Sequence, residues 1–381
     1  MTSSPASALP SSPAPAGGST LTQRAGLWVA IAVLLLIAFM PALPGLPQAG
    51  QMMLAVLAFA VILWMTEALD YAVSAVVIGA LMIVLLAISP VPGKEAAGAM
   101  MGTRAALPYA LGGFSNSAVV LVAAACFIAA AMTATQLDKR IALQVLSYVP
   151  ARANHVAMGA ILVGFLLSFI VPSATARVAC LMPIMLGFLS AFGAQRRSKF
   201  AALVVITAAQ TASVWNIGIK TAAAQNMVAI GFIEKQFGHD ITWTDWFIAG
   251  APFSAVLSVA LYFIMTRMMR PEMDEIAGGK AAIRAQLDAL GPMTTKEWKL
   301  LALVLGLLAF WSTEKVLHSL DTSSTTIAAI AIMLAPRIGV MSWKDSQKGF
   351  PWGTVVLFAV GISVGSALLK TNAASWLANL I

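Results

Sequence analysis

Apolar segments about as long as a bilayer is thick recur along this chain, at residues 26–43, 51–69, 72–89, 115–136, 154–171, 176–193, 200–232, 246–266, 298–316, 323–340 and 352–370. A helix needs about 20 apolar residues to cross ~30 Å of hydrocarbon, so the fold class is an all-α, polytopic helical membrane protein. Alternating strands of roughly ten residues are absent, which excludes an outer-membrane barrel. Composition agrees: 60% of the 381 residues are hydrophobic and 10% are charged, more apolar than a water-soluble core requires. Cys126 and Cys180 lie inside apolar runs and read as small hydrophobes. His155, His239 and His318 have no metal-ligand spacing and no nucleophile–base arrangement is visible, so the chain is read as not an enzyme.

A net charge of +8 invites a nucleic-acid reading, but the basic residues sit in short connections beside apolar helices, where they set orientation. No nucleic-acid partner is read. Lys139, Arg140 and Arg152 precede the segment from 154; Arg196, Arg197 and Lys199 follow the one from 176; Arg267, Arg270, Lys280, Arg284, Lys296 and Lys299 crowd the connection after 266. The positive-inside rule makes these loops cytoplasmic, with the N-terminus inside, in a membrane that suits a bacterial inner membrane. Residues 1–22, rich in Pro, Ser and Ala and uncharged, read as a disordered tail before a retained anchor helix. Residues 271–297 form the other long polar stretch, amphipathic over 280–290, and read as a connector lying along the cytoplasmic surface.

That connector separates two parts that resemble each other. WMTEALDYAVSAVVIGALMIVLLA from Trp64 lies over WSTEKVLHSLDTSSTTIAAIAIMLA from Trp311, and the stretch from Phe114 lies over that from Phe350. The charge-derived topology sends the first WxTE helix inward and the second outward, so the repeats are inverted, a construction common among secondary transporters. Residues 23–270 then hold the first helix and a first repeat, and 298–381 a second repeat that is incomplete. Residues 146–266 have no counterpart, so a symmetric second half needs about 120 further residues. The expectation is a fragment of a longer chain, the alternative a degenerate protein with half a site.

Two stretches interrupt the apolar pattern. In FIVPSATARVACLMPIM, residues 169–185, Val171 precedes a proline and is steered out of helical geometry, while Ser173 or Thr175 suits the N-cap of a new helix. Basic flanks on both sides make the pair 154–193 enter and return on one face, as two complete spans or as a re-entrant hairpin. If its tip ends inside the protein, the free amides and positive helix end can hold an anion. Arg177, one turn on, pairs with a substrate carboxylate or ties the tip to a neighbouring carbonyl. In TAAQTASVWNIGIKTAAAQNM, residues 207–227, Thr207, Gln210, Thr211, Ser213, Asn216, Gly218, Lys220, Thr221, Gln225 and Asn226 put polar groups into a membrane segment. An ammonium near a helix centre costs ~2.5–3.5 kcal/mol on insertion scales, so Lys220 needs a partner, a wet cavity or a substrate. The segment reads as a broken helix lining a transport site, or else as polar contacts between helices with Lys220 snorkelling. Glu67 and Glu314, at matching repeat positions, read as structural, and Ser115 and Asn116 as caps of the helix that follows.

PSATARVACLMPI resembles the hairpin-tip motif of the divalent-anion/sodium symporter family, whose usual form is Ser-Asn-Thr-Ala, a short apolar run and Pro-Ile. WMTEAL, the break from Ser213 to Asn226, DWFIAGAPFSAV from Asp245 and PWGTVVLFAVG from Pro351 resemble the same family in the same order, from about residue 50 onward. The resemblance implies a re-entrant hairpin at 154–193 whose tip shares a site with the break near Gly218. It implies a homodimer that carries dicarboxylates, citrate or sulfate, usually with sodium, by an elevator-like mechanism. Substrate contacts fall on Ser173, Ala174, Thr175, Asn216, Gly218, Lys220, Thr221 and Asn226, and Na+ on Ser173, Thr175 and Gly218, with no other cofactor. Ala174 departs from the family's asparagine, and Lys220 stands within the break, where it is expected to replace one cation and lower sodium dependence. The alternatives are a proton-coupled or exchange carrier for an inorganic oxyanion such as sulfate, and a truncated binding protein that does not transport.

Overall fold

The computed structural model describes residues 21–94, 98–150, 152–191, 198–272, 279–348 and 350–380. The expected tail lies almost wholly outside them, as do Arg196 and Arg197. Among the described residues every named element is helical: α1 Leu21–Phe39, α2 Gln48–Thr66, α3 Tyr71–Ala87, α4 Gly102–Leu111, α5 Ser117–Thr135, α6 Leu137–Tyr148, α7 Ala153–Ile170, α8 Ala174–Ala191, α9 Lys199–Gly218, α10 Ala224–Phe237, α11 Trp243–Met268, α12 Gly279–Ala289, α13 Thr295–Ser312, α14 Thr322–Leu334, α15 Trp343–Gln347, α16 Trp352–Lys370 and α17 Ala373–Ala378. Seven of these, α1, α2, α5, α7, α9, α11 and α16, are long and apolar enough to cross a membrane. The chain is an all-α polytopic membrane protein.

Contacts divide it into two compact units, one running to Phe114 and resuming at Val356, the other Ser115–Val355. In the first, α1 and α2 pack lengthwise and α3 lies on α2 and α4. α3 starts where Asp70 accepts hydrogen bonds from the amides of Ala72 and Val73, an ordinary N-cap. α2 ends at Glu67 in the left-handed region at φ 49°, and the Glu67 carboxylate accepts from the Tyr71 hydroxyl at 3.2 Å. In the second unit Asp321 caps α14 through Ser323 and Ser324, and Glu314 accepts from Thr322 Oγ1 at 2.7 Å. The succession of a WxTE helix end, an Asp-capped helix, a short helix, a long helix and a short helix thus occurs twice, in α2–α6 and in α13–α17. Both glutamates serve turns. Asn116 caps α5, accepting from the Ala118 amide at 2.8 Å.

The second unit is built around α9, with α7, α8 and α11 packed on it. Small residues permit this closeness, as in membrane bundles generally. A Cβ on Gly164 of α7 would fall 2.4 Å from Thr211 Cγ2, and one on Gly250 of α11 would fall 2.7 Å from the Ile217 carbonyl oxygen. Phe165, Phe169, Trp215, Trp243 and Phe247 fill the space between α7, α9 and α11, with Trp243 stacked on Phe247 at 5.2 Å between centroids.

Within 271–297 the described residues include α12, Gly279–Ala289. Its apolar side, with Ile283 buried, is taken up by α6 and α8. Arg140, read from sequence as a topology marker alone, does more than that. Its Nε donates to Glu297 Oε1 at 2.6 Å, and its terminal nitrogens donate to the carbonyls of Leu290, Gly291 and Pro292. The guanidinium's fixed fork of donors suits such a cluster of acceptors. Burial alone would push the Glu297 carboxyl up, but Arg140 and the Thr294 cap hold it below the usual carboxylate range.

Candidate functional site

The tip and the break lie in the second unit and are joined by one side chain. α7 stops at Ile170, Val171 is extended before Pro172, and α8 begins with Ser173 Oγ accepting from the Ala176 amide at 3.3 Å. Ser173 is therefore the N-cap. The first turn of α8 carries Arg177, 1% exposed. Its Nη1 donates to the Val171 carbonyl at 2.7 Å and to the Ala222 carbonyl at 3.1 Å, and its Nη2 donates to the Ala212 carbonyl at 3.0 Å and to Asn216 Oδ1. Among the described residues no carboxylate forms an ion pair with it, and its buried Nε has no partner. The tie to neighbouring carbonyls is present and takes the terminal nitrogens, which leaves the charge itself without a carboxylate among the described residues.

α9 ends at Gly218; Ile219 and Ala223 are extended and Lys220–Ala222 make one tight turn before α10. An interrupted helix strands carbonyls that bulk water cannot reach. Here donors from three other helices reach them. Asn226 Nδ2, from α10, lies 2.6 Å from the Asn216 carbonyl, 3.0 Å from that of Ile219 and 3.4 Å from that of Lys220. From α11 the Trp246 indole donates to Ile217 at 2.9 Å, and from α8 Arg177 donates to Ala222; Ser254 and Arg177 also add donors to the Val214 and Ala212 carbonyls inside α9. Among the described residues no donor is placed on the Gly218 carbonyl.

The expected site residues divide accordingly. Asn216, Lys220, Thr221 and Asn226 are buried, Ser173 and Ala174 are half-buried and Thr175 is exposed at the tip. The Cα face of Gly218 is filled by α11, since a Cβ there would meet Ser254 Oγ at 2.8 Å. Lys220 Nζ donates to the Ile241 carbonyl at 2.5 Å, in the connection from α10 to α11, so its one described bond leads to that loop and not to the tip. Thr221 Oγ1 accepts from the Trp243 indole at 3.3 Å. The buried cation beside Asn216 is Arg177.

Residues 21–381 match the family model described as the sodium:sulfate symporter transmembrane region. The chain belongs to that family. It is 49% identical over 95% of its length to a protein of Cupriavidus necator named only as a membrane protein. It is 26% identical over 72% of its length to the citrate/succinate antiporter of Escherichia coli, and 26% identical over 91% to the sodium-dependent dicarboxylate transporter SdcS of Staphylococcus saprophyticus. The chain spans 70%, 57% and 67% of these three relatives' lengths.

Within this sodium:sulfate symporter family chain, sequence reading found both interruptions but assigned their polar residues to a solute. It missed that Asn226 serves carbonyls and that Trp246 and Ser254 of α11 donate to the break and to the end of α9. The only signal for the last two was their place in the stretch from Asp245, which fixes no partner.

Proposed function

We propose that the protein is a secondary active transporter of small divalent anions, dicarboxylates first, seated in the inner membrane with its N-terminus cytoplasmic and working as a homodimer. The observation that carries this reading is Arg177: a buried guanidinium with no carboxylate partner among the described residues, placed where the start of α8 meets the end of α9. Burying a charge without a counter-charge is expensive, and a bound dianion offsets it. The positive end of α8, roughly half a unit charge, points the same way, and Ser173, Ala174, Thr175 and Asn216 stand around the junction. Arg177 balances one substrate charge, the role sequence reading gave to Lys220. Na+ balances the other, held by the Ser173 and Thr175 hydroxyls and the Gly218 carbonyl. The 154–193 pair acts as a re-entrant hairpin that moves with the broken helix in alternating access, and the twofold succession of elements is the trace of inverted repeats.

Relatives named as a citrate/succinate antiporter and as a sodium-dependent dicarboxylate transporter support the substrate class and leave two coupling modes. Uptake of labelled succinate, citrate and sulfate into proteoliposomes containing the full chain, with and without a sodium gradient, decides between them. Sodium-driven uptake of a dicarboxylate supports the reading. Uptake only against internal dianion moves the assignment to exchange, and no uptake of any dianion refutes transport.

A further inference from the structure

Asn226 has one amide for three carbonyls, those of Asn216, Ile219 and Lys220, and it is itself buried at 7% exposure. The nearest of the three belongs to Asn216, whose side-chain oxygen accepts from Arg177. Arg177 in turn holds Val171 at the end of α7 and Ala222 inside the break. A chain of donors therefore runs from α10 through the end of α9 to the tip. Each link joins a different element, so none is replaced by local helix bonding.

We propose that Asn226 is a positioning residue for the anion site: it gathers the break's carbonyls so that Asn216 presents its side chain to Arg177 and sets the guanidinium at the tip. This rests on the dianion reading above and changes Asn226 from a solute contact into the anchor of one. The amide carries two hydrogens, enough for the two shorter bonds. Residues 222–224 are alanines, strong helix formers, so without these donors the break is free to rewind and carry Asn216 away from Arg177.

The test compares wild type with Asn226→Leu, which keeps the size and removes both donors, Asn226→Ser, which keeps one, Asn216→Ala, and the Asn216→Ala/Asn226→Leu double variant. Two readouts are taken on the full chain in detergent and in proteoliposomes. The first is the succinate concentration for half-maximal thermal stabilisation and, in uptake, KM against Vmax. The second is hydrogen exchange of backbone amides at 173–178 without ligand. We expect Asn226→Leu to raise the half-maximal concentration and KM about tenfold with Vmax changed less, Asn226→Ser to fall between, and the double variant to match Asn216→Ala, since residues in one network are not additive. Exchange at 173–178 should quicken in all three single variants although none of them touches those amides. A lower melting temperature with unchanged succinate dependence and unchanged tip exchange would make Asn226 merely structural and overturn the proposal, as would additive effects. If wild type responds to no dianion, the transport reading fails alone, and tip exchange still decides the relay.

Discussion

At the tip a proline stops α7, Ser173 caps α8, and the turn between them is written into three adjacent residues; at the break nothing local demands a turn. The residues after Gly218 are Ile-Lys-Thr-Ala-Ala-Ala, which by propensity favour continuing the helix across Ala222–Ala224. What stops α9 is tertiary: donors from α8, α10 and α11 reach carbonyls that helical bonding would otherwise use. The tip is thus started by local signals and tied to the break through Arg177, and the break is an imposed structure that exists while its donors remain. An imposed break can rewind, which suits the solute-coupled role proposed for it.

The sharpest way to break this contrast is Arg177→Met, which removes a side chain that bonds to both interruptions. Four buried acceptors lose their donor, and such losses sum to about 3–5 kcal/mol for a buried charged network. The expected result is a collapse in folded yield, or a melting temperature lowered by many degrees with no response to succinate. Arg177→Lys should recover little, because a point ammonium cannot span four acceptors in a fixed fork. If Arg177→Met folds normally, the break is coded locally after all.

Gly250→Ala is next. The added methyl meets the Ile217 carbonyl oxygen at 2.7 Å, and overpacking of this kind costs about 1–3 kcal/mol. Pressing α11 away from α9 also lengthens the Trp246 and Ser254 bonds, so the break should exchange amide hydrogens faster while the tip does not. Equal change at both sites, read by hydrogen exchange, would contradict the distinction drawn here.

A smaller effect, remote from both, comes from Glu297→Gln, which keeps the cap at α13 but weakens the pair with Arg140 by about 1 kcal/mol. The Glu297 carboxyl is held below its ordinary value of 4.5, so its contribution is full above that pH and is lost as pH falls through the lowered folded value. The melting-temperature gap between wild type and Glu297→Gln should therefore close as the medium is taken below pH 4.5, with succinate affinity unchanged. A gap that persists in acid would assign the clamp to the neutral hydrogen bonds alone.

Smallest in stability is Thr175→Ala. The residue is exposed at the tip, and such substitutions fall within about 0.5 kcal/mol. Its effect should appear in anion affinity, about fivefold for one lost hydroxyl contact, and a change in melting temperature without a change in affinity would remove it from the site.

These contrasts also explain what could be read beforehand. The long apolar helices and the tip were legible because hydropathy and the Pro172–Ser173 pair are local signals. α4 and α6 were not found, since α6 mixes Asp138, Lys139 and Arg140 with leucines and takes its place by packing on α7, α8 and α12. Lys220 was found as an anomaly, yet its direction was not legible: whether an ammonium meets a solute or the Ile241 carbonyl depends on a loop 21 residues away. Asn226 was read by type as a contact, and only the fold shows the carbonyls it gathers.

The central claim is that the tip beside the break cradles a dianion. The direct measurement is the rate at which a maleimide labels Thr175→Cys in a Cys126→Ser/Cys180→Ala background, with and without saturating succinate, taking Met158→Cys on the exposed side of α7 as control. The account predicts that succinate slows labelling at 175 several-fold, that butyrate does not, and that position 158 is indifferent to both. Equal rates at 175 in succinate, butyrate and plain buffer, from protein that still takes up succinate, would place the solute elsewhere.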